Sequence, residues 1–298
     1  QPPREIERKG PRTDAPEKAL AGFLGSVPIT IDQCETQEDK KGTFYVARWT
    51  EGGGKSRDVL SEIVRDVTLG LSWPKSMRWS ATSFRWVRPL HGILAVFDGA
   101  PLAGSIDTGD GELVFSDTTC GHRFMAPDAF SVSDFSDFSE KLRAARVLVD
   151  DAERQQNIRA QMADMCAANS LEVPEDDALY REVSGLVEWP TVLLGSIDAD
   201  FMELPREVLT TSMREHQKYF AISDGNDGLD PKFAFVSNVE TEHPEAIVSG
   251  NERVLRARLS DAKYFWDLDL GTPLEDRVSG LDGIVFHAKL GSVGEKVS

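Results

Sequence analysis

Apolar and polar residues alternate in "GTFYVARWT" (42–50), the period of a half-buried strand, and the glycines of "EGGGKS" end it in a tight turn. A phosphate-binding loop needs four residues between its glycines, and that gap is missing here, so a hairpin turn accounts for them. The period then changes. Val59, Ile63, Val64 and Val67 recur at helical spacing and predict a helix that Trp73-Pro74 stops. "GILAVFDG" (92–99) and "GELVFSDTTCGHRFM" (111–125) read as strands. From Asp134 to about Asn169, Phe138, Leu142, Ala145, Val149 and Ala152 fall three or four apart, which predicts one long amphipathic helix or a pair. "VPEDDALYREVSGLVEWPTVLLGSID" (173–198) gives a short helix and an apolar strand, with Pro190 at the strand start, where a missing N–H is tolerated. A loop and short helix opened by Pro205 follow, and the turn "SDGNDGLDP" (223–231) leads into the strand "KFAFVSNVE" (232–240). If Glu252 to Trp266 is helical, Leu255, Leu259, Ala262 and Trp266 share one face, and Arg253 and Arg256 lie on another.

Helices and strands interleave without regular βαβ spacing. The expected class is therefore α+β, with mixed or antiparallel sheets and packed helices. Residues 1–20, rich in Pro and charge, cannot order on their own and read as a linker or arm. An α+β body over 21–130, a helical segment over 131–170 and an α+β region over 171–298 complete the expected division.

Charge narrows the functional classes. With 50 acidic and 33 basic side chains in 298 residues, the net charge of −17 opposes a polyanion over most of the surface, so any nucleic-acid contact must be a local basic patch. No apolar run reaches membrane-spanning length, and "QPPREIERKG" lacks the apolar core of a signal peptide, which fits a cytoplasmic setting. Cys34, Cys120 and Cys166 are far apart and form neither a disulfide framework nor a zinc motif, so no metal site is expected. The chain opens on Gln rather than Met and stops in the polar "GEKVS", which points to a fragment of a longer protein.

Against that acidic background, "GNERVLRARLSDAKYFW" (250–266) gathers Arg253, Arg256 and Arg258 within six positions. With Gly250-Asn251 as turn and N-cap, these arginines would sit near the positive end of a helix and favour an anion such as phosphate. The competing reading is intramolecular, with Glu252 pairing Arg256 and Asp261 reaching Arg258. In "LPREVLTTSMREHQKYFAI" (204–222), Arg214, His216, Lys218 and Tyr219 could form an anion and acid/base clamp. No nucleophile or paired carboxylate accompanies His216 at a spacing that names a reaction, so no catalytic residue is assigned. Upstream, Arg78, Arg85 and Arg88 alternate with Trp79, Phe84 and Trp86, which suits either bound phosphates and bases or simple packing of arginine on tryptophan. His122-Arg123 adds a histidine without a metal partner or nucleophile at a recognisable spacing.

Several of these segments, in order, resemble the β subunit of bacterial tetrameric glycyl-tRNA synthetase: "MRW…FRWVRPLHGILAVFDG", "TCGHRFM", "REVSGLVEWPTVLLGSID", "SMREHQKYFAI", "FAFVSNVE" and "GNERVLRARLSDAKYFWDLD". The likeness runs from "REIERKGP" to "KLGSVGEK", nearly the whole chain. It implies an interior segment of a longer subunit, without the family's N-terminal beginning or its later HD-like and anticodon-binding domains. It also implies a region similar to the B3/B4 domain of the phenylalanyl-tRNA synthetase β chain, a mixed α/β fold. In that family the α subunit activates glycine with ATP and magnesium, while the β subunit is needed for tRNA binding and charging within an α2β2 heterotetramer. This segment would then bind no cofactor itself.

The resemblance gives the arginines an expected role, because guanidinium groups meet phosphate oxygens bidentately and stack on unpaired bases. Arg253, Arg256, Arg258, Arg214, His216, Lys218 and Arg123 are the expected contacts to glycine tRNA, and Arg85, Trp86 and Arg88 contact tRNA or the α chain. Two other readings stay open. One is an editing-like aminoacyl-tRNA hydrolase in which His216 or His122 polarises a water, although a pocket for the smallest amino acid has little need of a second sieve. The other is a scaffold whose exposed Trp and Arg only hold the α chain.

Overall fold

The computed structural model describes residues 2–39, 42–79, 81–224 and 228–298, and the chain divides into two units, each with its own core. It is an α+β protein built from several small antiparallel or mixed sheets with packed helices. Residues 225–227, the centre of the turn expected before "KFAFVSNVE", lie outside the described residues.

The first unit takes residues 1–119 and 131–134. Strands β1 (Arg4–Arg12), β2 (Glu35–Asp39) and β3 (Gly42–Glu51) form an antiparallel sheet in the order β1-β3-β2. The residues expected as an arm thus contain a strand, and pairing with β3 from Arg4 opposite Glu51 supplies the order that their composition withholds. Phe44 and Val46 alternate inward along β3, as its period requires. Gly52 and Gly53 then turn the chain at φ of 83° and 79°, where a side chain would be strained.

Helix α1 (Glu17–Leu24) lays Phe23 against β1, and α2 (Ser56–Gly70) packs on a second cluster formed by Ala95, Leu102, Ile106 and Phe115. The α2 period is as expected, but the face is not. Leu60 and Val64 point to the cluster, while Val59, Ile63 and Val67 are about half exposed. At 100° per residue, Val59, Ile63 and Val67 share a stripe beside the packed one, so spacing alone could not say which stripe meets the sheet. Short strands β4 (Ile93–Leu94), β5 (Ser105–Asp107) and β6 (Glu112–Ser116) run in the order β4-β6-β5, parallel at one edge and antiparallel at the other.

The second unit takes residues 120–130 and 135–298. Its helical segment is a pair, α3 (Phe135–Ala144) and α4 (Asp151–Asn169), followed by α5 (Asp177–Ser184). The central antiparallel sheet comprises β7 (Thr191–Ser196), β8 (Phe220–Ser223) and β9 (Leu229–Ser237), in the order β7-β9-β8. Side chains of β9 alternate in size rather than polarity. Phe233 and Phe235 join one buried cluster with Leu209, Met213, Leu255 and Leu259, while Ala234 and Val236 join another with Ile158, Met162, Leu179 and Val183. Helices therefore cover both faces of this sheet: α6 (Arg206–Thr211) and α7 (Glu245–Leu270) on the phenylalanine side, α4 and α5 on the other. Gly195, opposite Phe233 in the register, leaves room for that ring, since a Cβ there would come within 2.6 Å of it.

Candidate functional site

The arginine-rich helix is longer than expected. It begins at Glu245, so Gly250 and Asn251 lie inside it and neither caps it. Arg253 is two turns from the N-terminus, beyond the first turn in which the helix dipole acts, so the dipole does not favour an anion there, contrary to expectation. The expected buried face is correct: Leu255 and Leu259 have almost no exposure, with Ala262 and Trp266 packed beside them.

The expected ion pairs are replaced. Arg256 grips Asp198 with two hydrogen bonds of 2.6 and 3.0 Å, which raises its own pKa and lowers that of the carboxylate. Glu252 instead accepts from the backbone N–H of Ser196 at 2.9 Å, joining the helix to the end of β7. Arg253 and Arg258 are exposed and have no hydrogen bond or ion pair among the described residues. These two are the cations of the cluster that remain available to a partner.

The second basic stretch is held in place. After α6 the chain widens into a π-helical turn, Ser212–Gln217, and Lys218 closes it in the left-handed region at φ 60°. Arg214 bonds Asp176 through Nε at 2.5 Å and through a second nitrogen at 3.2 Å, and it also pairs with Glu215. Asp176 simultaneously caps α5 by accepting from Leu179 N–H at 3.0 Å. Its carboxyl is held below the usual range, first by the Arg214 hydrogen bond, and the two carboxylates push the Arg214 guanidinium higher still. Lys218 pairs with Glu182 at 2.9 Å. Of Arg214, His216, Lys218 and Tyr219, His216 alone is exposed without a partner among the described residues. Tyr219 is buried and donates its hydroxyl to Asn251 at 2.6 Å, fastening the turn to α7.

In the first unit, Arg85 donates to the Ser76 hydroxyl and carbonyl, both at 3.0 Å, and Arg88 bonds the carbonyl of Val87. Trp86 is half-buried, edge-on to Trp73 at 5.1 Å and stacked with Phe84 at 6.1 Å. Packing therefore occupies much of this aromatic set, leaving the two exposed guanidinium groups at its rim.

The strand expected through Met125 ends at Cys120, and "GHRFM" after it forms a turn built around His122, whose side chain has no exposure. Its Nδ1 accepts from the N–H groups of Phe124 and Met125, both at 3.2 Å, which places the ring proton on Nε2. The backbone of His122 donates to Ala145 O and accepts from Ala126 N–H, both at 2.9 Å. Gly121 is obligatory, because a Cβ would fall 2.4 Å from Ala145 Cβ and 2.6 Å from the Ala126 oxygen. The turn displays Arg123 and Phe124 to solvent, with the guanidinium 5.5 Å from the ring centre and Phe124 71% exposed. Arg123 has no carboxylate partner among the described residues.

Below the turn, sequence-distant segments converge. Met125 Sδ accepts from Glu240 N–H at 3.3 Å, and the Glu240 carboxylate receives Arg146 at 2.9 Å and the Trp189 indole N–H at 3.1 Å. Arg146 lies 5.0 Å over the Trp189 ring, and Asn238 Oδ1 accepts from the N–H groups of Glu188 and Trp189. Arg146, Asn157, Gln161, Trp189 and Glu240 line a cavity of about 230 Å³. None of Phe124, Arg146, Trp189 or Glu240 stood out as a site residue in the sequence. For Phe124, Trp189 and Glu240 the available signal was their place inside the long motifs, not their local spacing, and Arg146 lies in none of those motifs. Among the described residues no group of three His, Cys, Asp or Glu gathers to hold a metal ion.

Comparison with known proteins agrees with this convergence of motifs. The family model described as glycyl-tRNA synthetase beta subunit matches residues 1–298. Similar relatives are the glycine-tRNA ligase beta subunits of Rhodospirillum centenum, 47% identical over 97% of this chain, and of Paracoccus denitrificans, 45% identical over 98%. That of Cereibacter sphaeroides is 46% identical over 98%. The chain spans 44% or 43% of the length of these relatives. With a match over its whole length and nearly half its residues identical to these relatives, the chain belongs to the glycyl-tRNA synthetase beta subunit family.

Proposed function

We propose that this chain is a non-catalytic, tRNA-binding part of a glycyl-tRNA synthetase, working in the cytoplasm with an α subunit that uses ATP and magnesium to attach glycine to its tRNA. Family membership supports the reaction and the partners, including an α2β2 assembly. We likewise infer that part of the chain is similar to the B3/B4 domain of the phenylalanyl-tRNA synthetase β chain. The observation that carries the binding role is the contrast within one helix. Arg256 is neutralised by Asp198, whereas Arg253 and Arg258 are exposed without a carboxylate partner among the described residues. On a chain of net charge −17, exposed unpaired arginines are local openings in a field that otherwise repels polyanions.

The test is fluorescence anisotropy of labelled glycine tRNA with the assembled α and β subunits. Replacing both Arg253 and Arg258 by Ala weakens binding and lowers the salt slope by about one to two, since each lost phosphate contact removes roughly 0.9. Arg256→Ala leaves that slope unchanged. Native-like affinity in the Arg253/Arg258 double variant removes this helix from the tRNA site.

A further inference from the structure

The turn Gly121–Ala126 combines rigidity with exposure in a way that packing does not explain. A loop that only connects elements tolerates movement, yet this one is fixed by a buried histidine ring, two backbone hydrogen bonds, a glycine pressed against Ala145 and a sulfur contact to Glu240. What it holds fixed is a phenylalanine 71% exposed beside a guanidinium without a counter-charge. Leaving a phenylalanine in water forgoes the gain of burying it, and holding it still removes the entropy loss that a partner would otherwise incur on binding.

We propose that this turn is a nucleotide clamp: Phe124 stacks on an unpaired base of the tRNA, and Arg123 neutralises the phosphate beside it. The proposal rests on the tRNA-binding role above and names a second, separate contact for it. Charge favours RNA over a protein groove. An apolar pocket that took the phenylalanine would desolvate Arg123 without an opposite charge, whereas a nucleotide offers a flat π face and an anion a few ångströms apart. Stacking also suits a ligand whose unpaired bases must be held outside a helix. Glu240, Arg146 and Trp189 position the clamp from below without touching the base, because their charge and indole N–H are spent on one another.

The experiment uses the assembled α and β subunits with glycine tRNA. Phe124→Ala raises the Kd roughly ten-fold or more, the size of one base–aromatic contact. Phe124→Tyr, which keeps the ring, binds like the native complex, and Phe124→Leu, which keeps apolar bulk without a π face, fails like alanine. Arg123→Ala lowers the salt slope by about one. An unchanged unfolding midpoint for Phe124→Ala establishes that the fold is intact. Native affinity in Phe124→Ala or Phe124→Leu overturns the clamp, as does loss of α-subunit association in sedimentation with tRNA affinity retained. Failure of the native complex itself to bind tRNA overturns the underlying role instead, so the two failures are distinguishable.

Discussion

His122 looks from the sequence like a group that could polarise water, and its surroundings give it a different task. Nδ1 is occupied by two backbone N–H groups, and the ring sits without solvent exposure between the turn and the end of α3. Removing it leaves those donors without a partner, at a cost of about 1–3 kcal/mol for an unsatisfied buried group, with a cavity in addition. His122→Ala should lower the urea midpoint by that amount or more, and His122→Asn, whose side-chain oxygen can replace Nδ1, should recover part of it. Asp176 gives a pH signature. Its folded pKa is depressed, chiefly by the Arg214 hydrogen bond, so its contribution is fully present above the unfolded value, about 3.9, and is lost as pH falls through the lower folded one. Asp176→Asn should lower stability at neutral pH and flatten the decline of stability below about pH 4, read from denaturation midpoints against pH.

Helix α7 carries both packing residues and arginines left free of ion pairs among the described residues. Leu255 and Leu259 dock it on the phenylalanine face of the sheet, Glu252 and Arg256 tie its flank to the end of β7 and the following loop, and Arg253 and Arg258 are left over. Leu255→Ala should cost about 2–5 kcal/mol, the range for a truncated core leucine, whereas Val254→Ala next to it, on the exposed side, should change stability by less than about 0.5 kcal/mol. Thermal unfolding of the two variants measures the difference directly, and equal losses would mean that the helix is rotated from the orientation described. The end of α3 makes a related point. Arg146 adopts φ 63°, a left-handed conformation usually left to glycine at a helix end, and the side chain it keeps there reaches both Trp189 and Glu240.

Across the molecule, the charge balance sets how the proposed tRNA binding should respond to salt. A net charge of −17 leaves little sequence-independent attraction for RNA, so contacts from this chain must come from few places. Arg123, Arg253 and Arg258 are the unpaired arginines among the expected contacts of the second unit. Removing all three from the assembled enzyme should lower the slope of log affinity against log salt by about two to three, near 0.9 per phosphate. The measurement is a tRNA titration at several salt concentrations, and an unchanged slope would place every phosphate contact elsewhere. Among the described residues no helix is long and apolar enough to cross a membrane.

Much of the fold was legible because local forces fix it. The helical spacing of 135–169, the strand at "KFAFV" and the buried face of α7 follow from periodicity, which registers burial whatever the partner, while the helix expected to run to Trp73-Pro74 ends at Gly70. Motif order likewise carried the family, since several long stretches in sequence are specific where any single pattern is not. What stayed hidden depended on residues far apart in the chain. Periodicity cannot say which stripe of α2 meets a sheet, nor that the helix around Arg253 starts at Glu245. Charge spacing offered Glu252 to Arg256, yet Asp198, fifty-eight positions away, took it. The cluster of Arg146, Trp189 and Glu240, and the exposure of Phe124 above it, exist only after α3, β7 and β9 have come together. Sequence neighbours determine which backbone conformations are easy, whereas ion pairing and exposure are properties of space, settled only when the chain closes on itself.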